Sequence, residues 1–345
     1  MEITNSENPP LVSVIVPNYN HARYLDLRLM SILQQEFTDF EVIFLDDASS
    51  DDSLEILQKY LGDKRIRLVV NEKNSGSTFK QWNKGAGLAK GKYLWFAESD
   101  DFAEPDFLLK TVNLLEQDSK LGLVYSQSVM VDQEGKILGL TYQMIWRSDP
   151  KRWLADYKNN GEDEILNYLG YECTIPNASA VVIRKFVFDA VGKAKEIYKL
   201  HGDYVLWFDM LRKSDVAYLA APLNHFRFSH ASVRNRLQGN GFDAEERYLV
   251  VQYMFDQVDF PTGVKERICF YLVCLWLHPD RIKTPITRHV RIAKLASKID
   301  RHLLRHVAAR LIFGPFRIFY MKSIGYKKRK KVLDNLLDPS GIRNT

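Results

Sequence analysis

Apolar positions along residues 11–100 follow two different periods. Runs rich in β-branched and aromatic residues predict buried strands, and stretches with apolar residues three and four positions apart predict amphipathic helices. The predicted strands cover residues 11–16, 40–45, 66–70 and 93–97, and the predicted helices cover residues 22–35, 54–61 and 79–89. Strands that alternate with helices in this way indicate a mainly parallel central sheet flanked by helices.

The pattern changes in the second part of the chain. Pro105 favours the first turn of another helix, and residues 123–140 predict a hairpin. Further on, the pattern predicts a strand, a helix and two edge strands, over residues 178–183, 204–212, 216–219 and 223–228. After residue 242 it is almost entirely helical. We therefore expect a flexible N-terminus at residues 1–10, an α/β domain over residues 11–235 and a helical appendage over residues 236–345.

Charge is distributed unevenly along the chain. The net charge is +5, but residues 281–345 contain 17 lysine and arginine residues and three acidic residues, a surplus of 14. Residues 1–280 therefore carry about −9. An acidic body with a basic C-terminal segment indicates two regions with different functions.

Cysteine content and the absence of sorting signals favour a cytoplasmic protein. The three cysteines are too few and too scattered for a disulfide framework or a zinc cluster. The polar, acidic N-terminus is unlike a secretory signal. The longest apolar run, residues 268–277, is far shorter than the roughly 20 residues that a membrane-spanning helix needs.

Polar or acidic loops follow three of the predicted strands, at residues 17–20, 46–51 and 98–101. In open α/β sheets, ligands bind beyond the carboxyl ends of the strands, so we expect these loops to meet at a binding site. No glycine-rich dinucleotide fingerprint follows the first strand, and the chain contains no phosphate-binding Gly-Lys-Ser/Thr loop. Dinucleotide oxidoreductases and P-loop nucleotide hydrolases are therefore disfavoured.

Asp46 and Asp47 stand where a buried strand ends. A carboxylate there can accept a hydrogen bond from a ribose hydroxyl or from the N–H of a pyrimidine base, and Tyr19 offers an aromatic face for a base. A second interpretation is that Asp46 or Ser50 caps the next helix. The residues alone leave both interpretations open.

Glu98-Ser-Asp-Asp101 contains three carboxylates in four residues, which repel one another unless a cation or hydrogen-bond donors lie among them. Mg²⁺ or Mn²⁺ is commonly held by one or two carboxylates together with substrate phosphates. A metal-bound diphosphate would therefore explain the cluster. The alternative is a solvated acidic turn before the helix at Pro105, where acidic residues favour the helix N-terminus.

Taken in order, these segments resemble the family 2 glycosyltransferases over residues 11–230. The matching segments are Val-Ser-Val-Ile-Val-Pro-Asn-Tyr-Asn, Leu-Asp-Asp-Ala-Ser-Ser-Asp, Asn-Ser-Gly, Ala-Lys-Gly-Lys-Tyr and Glu-Ser-Asp-Asp. The resemblance implies a GT-A fold, which binds a nucleotide sugar, and an inverting transfer. The Gln-x-x-Arg-Trp motif of processive synthases is absent from the sequence, which favours transfer of one sugar per encounter.

The resemblance also implies roles for particular residues. Pro17, Tyr19 and Asn20 match the segment that holds the nucleotide base, and Asp47 matches the acid that reads the base, usually uracil. Asp100 would lie near the ribose, Asp101 would bind Mn²⁺ or Mg²⁺, and Lys80 would add a cation to the donor site. Glu98 replaces the aspartate that usually opens the acidic motif. Candidates for phosphate or acceptor contacts are Glu98, His225, Arg227 and His230.

Asp203, in His-Gly-Asp-Tyr-Val-Leu-Trp, matches the family's catalytic base. In an inverting transfer this carboxylate would take the proton of the attacking acceptor hydroxyl. The alternative is that Asp203 is only the N-cap of the helix predicted over residues 204–212, and the two roles are compatible.

Apolar and basic residues interleave along residues 288–312 and predict one amphipathic basic helix, followed by aromatic and lysine-rich positions up to residue 331. This pattern suits an anionic membrane surface. A helical appendage packed on the catalytic domain and a nucleic-acid contact are the alternatives.

We therefore expect an inverting, metal-dependent glycosyltransferase that moves a sugar from a nucleotide sugar, with UDP as the expected nucleotide, to a glycan or lipid-linked glycan in bacterial cell-surface polysaccharide synthesis. It would lie in the cytoplasm, at the periphery of the inner face of the plasma membrane. A non-catalytic sugar-nucleotide-binding or scaffold protein on the same fold is the alternative. A nucleotidyltransferase is disfavoured because residues 17–21 lack its glycine-rich, cationic first loop.

Overall fold

The computed structural model describes residues 9–145, 151–228, 240–278 and 283–312. The chain forms two compact units, residues 1–235 and residues 236–345. We call them the N-terminal unit and the C-terminal unit and describe each by itself.

The N-terminal unit alternates strands and helices along its first half. Its strands are β1 (Val12–Asn18), β2 (Phe40–Asp46), β3 (Ile66–Val70), β4 (Tyr93–Phe96), β5 (Phe102–Ala103), β6 (Leu121–Val131), β7 (Ile137–Leu140), β8 (Tyr157–Asn159), β9 (Val181–Arg184) and β10 (Asp215–Arg227). Its helices are α1 (Ala22–Leu33), α2 (Ser53–Gln58), α3 (Thr78–Leu88), α4 (Phe107–Gln117), α5 (Tyr142–Ile145), α6 (Gly161–Glu164), α7 (Lys185–Ala190) and α8 (Gly202–Leu211). Pro105 lies just before α4 rather than in its first turn.

The strands form one sheet in the order β3-β2-β1-β4-β9-β6-β10-β5, with β7 beside β6 and β8 beside β10. The four strands β3, β2, β1 and β4 are parallel, as predicted. β9 is antiparallel to both of its neighbours, and β5, β7 and β8 also pair antiparallel. The α/β class with flanking helices is confirmed, but the sheet as a whole is mixed rather than mainly parallel.

The core lies between the sheet and helices α1 and α4. Val14 and Trp95 of the sheet are fully buried, as are Leu25 and Leu29 of α1 and Leu108 of α4. Burying apolar surface of this kind is the main term that stabilises the fold. Strands β1, β2 and β4 are buried along nearly their whole length. Because they pair in parallel, the loops that follow them lie at the same edge of the sheet.

The structure corrects one prediction about the sheet. Residues 216–228 were expected to form two edge strands, but β10 is a single long strand between β6 and β5. Its pairing with β6 shifts register on both sides of Pro222. Proline has no N–H to donate to a neighbouring strand and is tolerated at such irregularities. The proline therefore interrupts the pairing pattern without ending the strand.

The C-terminal unit is helical in its described residues, as predicted. It contains α9 (Phe242–Gln257), α10 (Thr262–Trp276), α11 (Ile286–Ile299) and a last helix over residues 303–312. The prediction of a single helix over residues 288–312 is wrong, because α11 ends at Ile299 with Asp300 as its C-cap residue. The carboxylate of Asp300 accepts a hydrogen bond from the backbone N–H of His302 and lies 2.8 Å from Nδ1 of His306.

The buried face of α11 includes Ile292 and Ala296, which are both fully buried. Arg288 and Arg291 pair with Glu245 of α9 at 2.9 and 2.6 Å. Among the residues that the structure describes, no helix combines the length and apolar character needed to cross a bilayer.

Candidate active site

The loops after β1 and β2 are joined by short polar side chains. Asn18 Nδ2 donates to Asp46 Oδ2 at 3.0 Å, and the N–H of Ser49 donates to Asp46 Oδ1 at 2.9 Å. Asn20 has a left-handed backbone (φ 56°), which asparagine tolerates, and its side-chain oxygen accepts from the N–H of Ser50 at 2.7 Å. These bonds give Asp46 a role in building the loop.

Asp51, rather than Asp46 or Ser50, accepts hydrogen bonds from the first residues of the two nearby helices. Its carboxylate accepts from the N–H of Ala22 at the start of α1 and from the N–H and hydroxyl of Ser53 at the start of α2. Pro17 is buried in β1 and Tyr19 keeps 45% of its surface exposed. The Tyr19 ring is therefore open to a stacking partner.

The carboxylate of Asp47 is buried and receives hydrogen bonds from three residues beyond β3. Asn71 Nδ2 and Gln81 Nε2 donate to Oδ1 at 2.5 and 2.9 Å. Ser75 donates through both its backbone N–H and its hydroxyl, the latter to Oδ2 at 2.7 Å. Asp47 thus orders the loop before α3, and both of its carboxylate oxygens accept hydrogen bonds. We refer to Asn18, Asn20, Asp46, Asp47 and Ser75 as the polar network.

The loop after β4, residues 98–101, is called the acidic loop here. Ser99 Oγ lies 2.8 Å from Nδ1 of His21, which ties the acidic loop to the loop after β1. Asp101 is buried, and its Oδ1 accepts from the N–H of Arg227 at 2.8 Å. Glu98 Oε1 accepts from Trp82 Nε1 at 2.7 Å.

Burial and mutual repulsion dominate the electrostatics of the acidic loop. Removal from water, together with the nearby Asp100, raises the pKa of Glu98 to about 8. Burial and Asp100 likewise raise the pKa of Asp101 to about 7, although hydrogen bonds from Arg227 and Ser179 act in the opposite direction. A carboxylate in low dielectric without an opposite charge favours its protonated form. A bound cation would relieve both effects.

Arg28 of α1 lies beneath the acidic loop and is a residue that sequence analysis missed. It is fully buried, its guanidinium lies 4.8 Å from the centre of the Trp95 ring, and none of its three guanidinium nitrogens has a hydrogen-bond partner among the described residues. Burial lowers its pKa to about 10, while Asp101, Glu98 and Asp100 oppose that shift. Its helical spacing from Leu25 and Ile32 places it on the buried face and was the available signal.

Arg227 holds turns together. Its Nε donates to the carbonyl of Asp100 at 2.8 Å, and Nη1 donates to the carbonyls of Asp132 and Gln133. The guanidinium is buried over the Tyr24 ring. These contacts give Arg227 a structural role through Nε and Nη1, and its phosphate or acceptor contact stays a prediction.

His225 is also engaged within the protein. Its ring stacks on Phe102 at 4.1 Å between centroids, and Nε2 lies 2.7 Å from Glu104 Oε1. His230, the remaining candidate in this group, lies outside the described residues. Arg227 contacts the acidic loop at Asp100 and Asp101, whereas His225 is held by Phe102 and Glu104.

Helix α3 contacts each of the acid-bearing segments. Gln81 binds Asp47, and Trp82 binds Glu98. Gly202, at the start of α8, sits against Phe79 so closely that an added Cβ would lie 2.5 Å from the ring. Asp203 follows Gly202 directly and is half-buried. The acids after β2 and β4 and the first turn of α8 are therefore gathered around one helix.

The helix α8 begins at Gly202, with His201 as its N-cap residue, so Asp203 lies in the first turn rather than at the N-cap. Asp203 Oδ1 accepts from the N–H of Tyr204 at 2.7 Å. Lys80 is exposed on α3, next to Gln81. Asp100 is partly exposed beside the buried Asp101.

The acidic loop offers the hard oxygen donors that Mg²⁺ and Mn²⁺ prefer. No group of three or more His, Cys, Asp or Glu side chains in the described part of the chain is arranged to hold a metal by itself. Such ions commonly take only one or two carboxylates and complete their shell with water and substrate phosphates. Asp100 and Asp101, whose burial and mutual repulsion a cation would offset, fit that mode of binding.

Comparison with known structures identifies the fold. The structure of S. aureus TarS 1–349 in complex with UDP-GlcNAc superposes with a TM-score of 0.65 at 18% identity, covering 87% of this chain and 84% of that one. The mannosyltransferase PcManGT from Pyrobaculum calidifontis, in complex with GDP-Man and Mn²⁺, superposes with a TM-score of 0.55 at 16% identity, covering 96% and 89%. The fold is that of GT-A glycosyltransferases.

Sequence relatives identify the family. An uncharacterized glycosyltransferase of Haemophilus influenzae is 30% identical over 273 residues, which make up 77% of this chain and 76% of that protein. A chondroitin synthase of Escherichia coli is 35% identical over 143 residues, 41% of this chain and 21% of the synthase. The profile described as Glycosyl transferase family 2 matches residues 13–192. Together with the fold, these matches show that the chain is a family 2 glycosyltransferase.

Proposed function

We propose that the protein transfers a sugar with inversion from a UDP-sugar to a glycan or lipid-linked glycan acceptor. The observation that carries this proposal is the position of α3. Its Gln81 and Trp82 donate hydrogen bonds to the acid-bearing loops, and its Phe79 packs against Gly202 in the first turn of α8. The acids proposed to bind the donor and the helix turn that carries Asp203 therefore contact the same helix, α3. The UDP-GlcNAc bound to TarS and the chondroitin synthase relative support the donor and the acceptor class.

In this proposal the donor nucleotide binds across the loops after β1 and β2. The exposed Tyr19 ring stacks on the base, with Pro17 and Asn20 shaping the loop beneath it. Asp47 is the proposed acceptor for the base, and its carboxylate is held in place by donors from Asn71, Gln81 and Ser75. Lys80 contributes a cation from the exposed side of α3.

Asp101 is the proposed metal ligand, with Asp100 beside it toward the ribose. A bound Mn²⁺ or Mg²⁺ supplies Lewis acidity that offsets charge on the leaving diphosphate. The chain's part is to hold the two carboxylates in place. The N–H of Arg227 fixes one oxygen of Asp101, and the Arg227 side chain fixes the carbonyl of Asp100. The Mn²⁺ in PcManGT supports the choice of metal.

Asp203 is the proposed general base. The acceptor hydroxyl attacks the anomeric carbon from the face opposite the diphosphate, and the Asp203 carboxylate takes its proton. An aspartate with an ordinary pKa of about 3.9 is a weak base, so the proton moves late, after bonding to the oxocarbenium-like carbon has made the hydroxyl acidic. The place of Asp203 in the first turn of a rigid buried helix supports this role.

The test compares the parent with Asp203→Asn in UDP-sugar transfer and hydrolysis assays with Mn²⁺. Loss of a general base lowers kcat about 10²- to 10⁴-fold, while UDP affinity stays near the parent value. Asp189→Asn, which changes an aspartate paired with Lys185 on α7, is the matched control and retains activity. UDP-sugar binding without turnover in the parent would instead favour a scaffold protein.

We also propose that the C-terminal unit binds an anionic membrane surface through residues 288–331. In the described part of this region, Leu304 and Leu311 are 86% and 64% exposed on one side of the last helix, next to the exposed Arg301 and Arg305. Apolar side chains flanked by cations suit anionic lipid. This contact would place the enzyme at the inner face of the plasma membrane.

Vesicle sedimentation tests the membrane proposal. Leu304→Glu should reduce binding to vesicles that contain phosphatidylglycerol, because it puts a charge into the apolar contact and repels the anionic surface. Leu27→Glu, which changes an exposed leucine of the N-terminal unit, is the control. Equal sedimentation of Leu304→Glu and the parent would contradict the proposal.

A further inference from the structure

Trp82 of α3 is nearly fully buried, at 2% exposure, and carries the hydrogen bond to the acidic loop. Its Nε1 donates to Glu98 Oε1 at 2.7 Å. The ring stacks on Phe96, the last residue of β4, with centroids 4.5 Å apart and planes 9° apart. The indole thus fixes the strand end and the first residue of the acidic loop together.

The other side of the same indole faces α8. Trp82 packs edge-on against Phe79 at 5.2 Å, and Phe79 is the ring on which Gly202 sits. Its centroid also lies 6.5 Å from that of Trp207, one turn after Asp203 in α8. One side chain therefore spans from the acidic loop to the helix that carries the proposed base.

The backbone of Glu98 is held independently of its side chain. Its N–H donates to Ser179 Oγ at 3.1 Å, and the preceding Ala97 N–H donates to the carbonyl of Ile15 at 2.8 Å. Glutamate is one methylene longer than the aspartate usual at this motif position. With the main chain fixed, this extra length carries the carboxylate to the indole of α3.

We propose that Glu98 is a positioning residue rather than a metal ligand, and that the Glu98–Trp82 pair sets the position of the acidic loop relative to Asp203. This inference rests on the proposed function, because it concerns the geometry between its donor and acceptor sides. Asp100 and Asp101 remain the residues that hold the cation. Small displacements between reacting groups reduce turnover strongly while leaving binding intact.

Two substitutions of Glu98 separate the alternatives because they rank in opposite orders. Glu98→Gln keeps the length and an oxygen that accepts from Trp82, whereas Glu98→Asp keeps the charge but is too short to reach the indole. A positioning role predicts that kcat of Glu98→Gln stays well above that of Glu98→Asp. Direct metal ligation predicts the reverse order, because aspartate still binds the metal.

Mn²⁺-dependent UDP affinity, measured by titration calorimetry, is the second readout. The positioning role predicts that the UDP affinity of Glu98→Gln stays within about threefold of the parent value. The substitution then changes only a charge that does not contact the metal. A loss of more than about tenfold, typical of disturbed metal coordination, would overturn the inference.

Trp82→Phe removes the N–H donor and keeps an aromatic ring. We expect its kcat to fall about 10- to 100-fold with little change in the donor KM. Combined with Glu98→Ala, it should add almost nothing to the loss in kcat, because both changes break the same link. Trp276→Phe is the matched control, since its indole also donates to one side chain, His289, within the C-terminal unit. Additive losses would contradict the proposed link.

Two results keep the inference decidable. If Trp82→Phe fails to fold, the order of the two Glu98 variants still settles the question. If the parent transfers no sugar, the proposed function fails first. The Glu98 inference is then judged by Mn²⁺-dependent UDP affinity alone, where parental affinity in Glu98→Gln supports it and a tenfold loss overturns it.

Discussion

The polar network and the acidic loop lie at the ends of neighbouring strands, yet the surroundings of their carboxylates differ. Asp47 is buried among donors from Asn71, Ser75 and Gln81. Asp101 is buried and Glu98 is partly buried beside further acids, and their pKa values rise to about 7 and about 8. The first region is satisfied within the protein, whereas in the second the repulsion between carboxylates is relieved only in part, by Arg28.

The difference teaches what each region needs from a ligand. Hydrogen-bond donors compensate a buried carboxylate as effectively as a counter-charge does. The polar network therefore has its shape before a nucleotide binds. The acidic loop gains stability when a cation arrives, so binding of metal and diphosphate should be coupled there.

The largest effect is expected for Asp101→Ala. Loss of the proposed metal ligand should lower Mn²⁺-dependent UDP affinity by about 100-fold, because the cation would no longer be held beside the diphosphate. Titration calorimetry with and without Mn²⁺ measures this change, with Asp189→Asn as the control. An unchanged UDP affinity in Mn²⁺ would contradict the assignment.

Asp47→Ala should destabilise the metal-free protein by about 3 kcal/mol. The change leaves the buried donors of Asn71, Ser75 and Gln81 without their acceptor, and unsatisfied buried donors are costly. Urea unfolding measures the free energy. Loss of UDP affinity without loss of stability would mean that Asp47 contacts the nucleotide but does not organise the loop.

Stability in a chelating buffer should fall as pH rises from 5 to 8, on the order of 2 kcal/mol. The folded-state pKa values of Glu98 and Asp101 are raised above their ordinary values of 4.5 and 3.8, so the native state binds more protons than the unfolded state in this window. Deprotonation therefore favours unfolding, and because the folded-state pKa of Glu98 is about 8, the loss is complete only about one pH unit above that value.

Acids with lowered pKa values, such as Asp51 and Asp63, titrate below this window and do not mask the effect. Urea midpoints at pH 5 and pH 8 test the prediction. Addition of Mn²⁺ and UDP at pH 8 should restore stability, since ligands that bind the native state stabilise it. Stability that rises from pH 5 to pH 8 would show that the repulsion is already compensated.

The smallest effect concerns Arg28. Arg28→Met removes the buried cation beneath the acidic loop, so the pKa values of Glu98 and Asp101 should rise further. The stability difference between pH 5 and pH 8 should therefore widen by about 1 kcal/mol. The same urea series measures it, and an unchanged difference would show that Arg28 does not act on these acids.

Much of the fold was predictable from local pattern. The alternation of β1 to β4 with α1 to α3 is carried by apolar spacing within each segment, and the hairpin of β6 and β7 by its turn residues. The acid-bearing loops were predictable because each is a short contiguous segment directly after a buried strand. The roles of Asp47, Asp101 and Asp203 remain predictions.

Other features were not predictable from local pattern, because they depend on residues that are distant in the sequence. β10 was mistaken for two edge strands, since nothing local shows that β6 and β5 lie on either side of it. The break at Asp300 was missed, because an amphipathic stripe continues across it. The bonds from Arg227 to carbonyls of distant turns were also not predictable from its neighbours in the sequence.

The amino-acid sequence by itself determined where the strands and helices fall along the first hundred residues, which acids follow which strands, and to which family the chain is similar. Tertiary structure decided which of those acids receive donors and which are left beside one another. It also decided that Glu98 turns toward Trp82 and that Arg28 is buried over the Trp95 ring, with no hydrogen bond from its guanidinium to any described residue. Spacing along the chain sets local conformation, but hydrogen bonding and burial depend on residues brought together by folding.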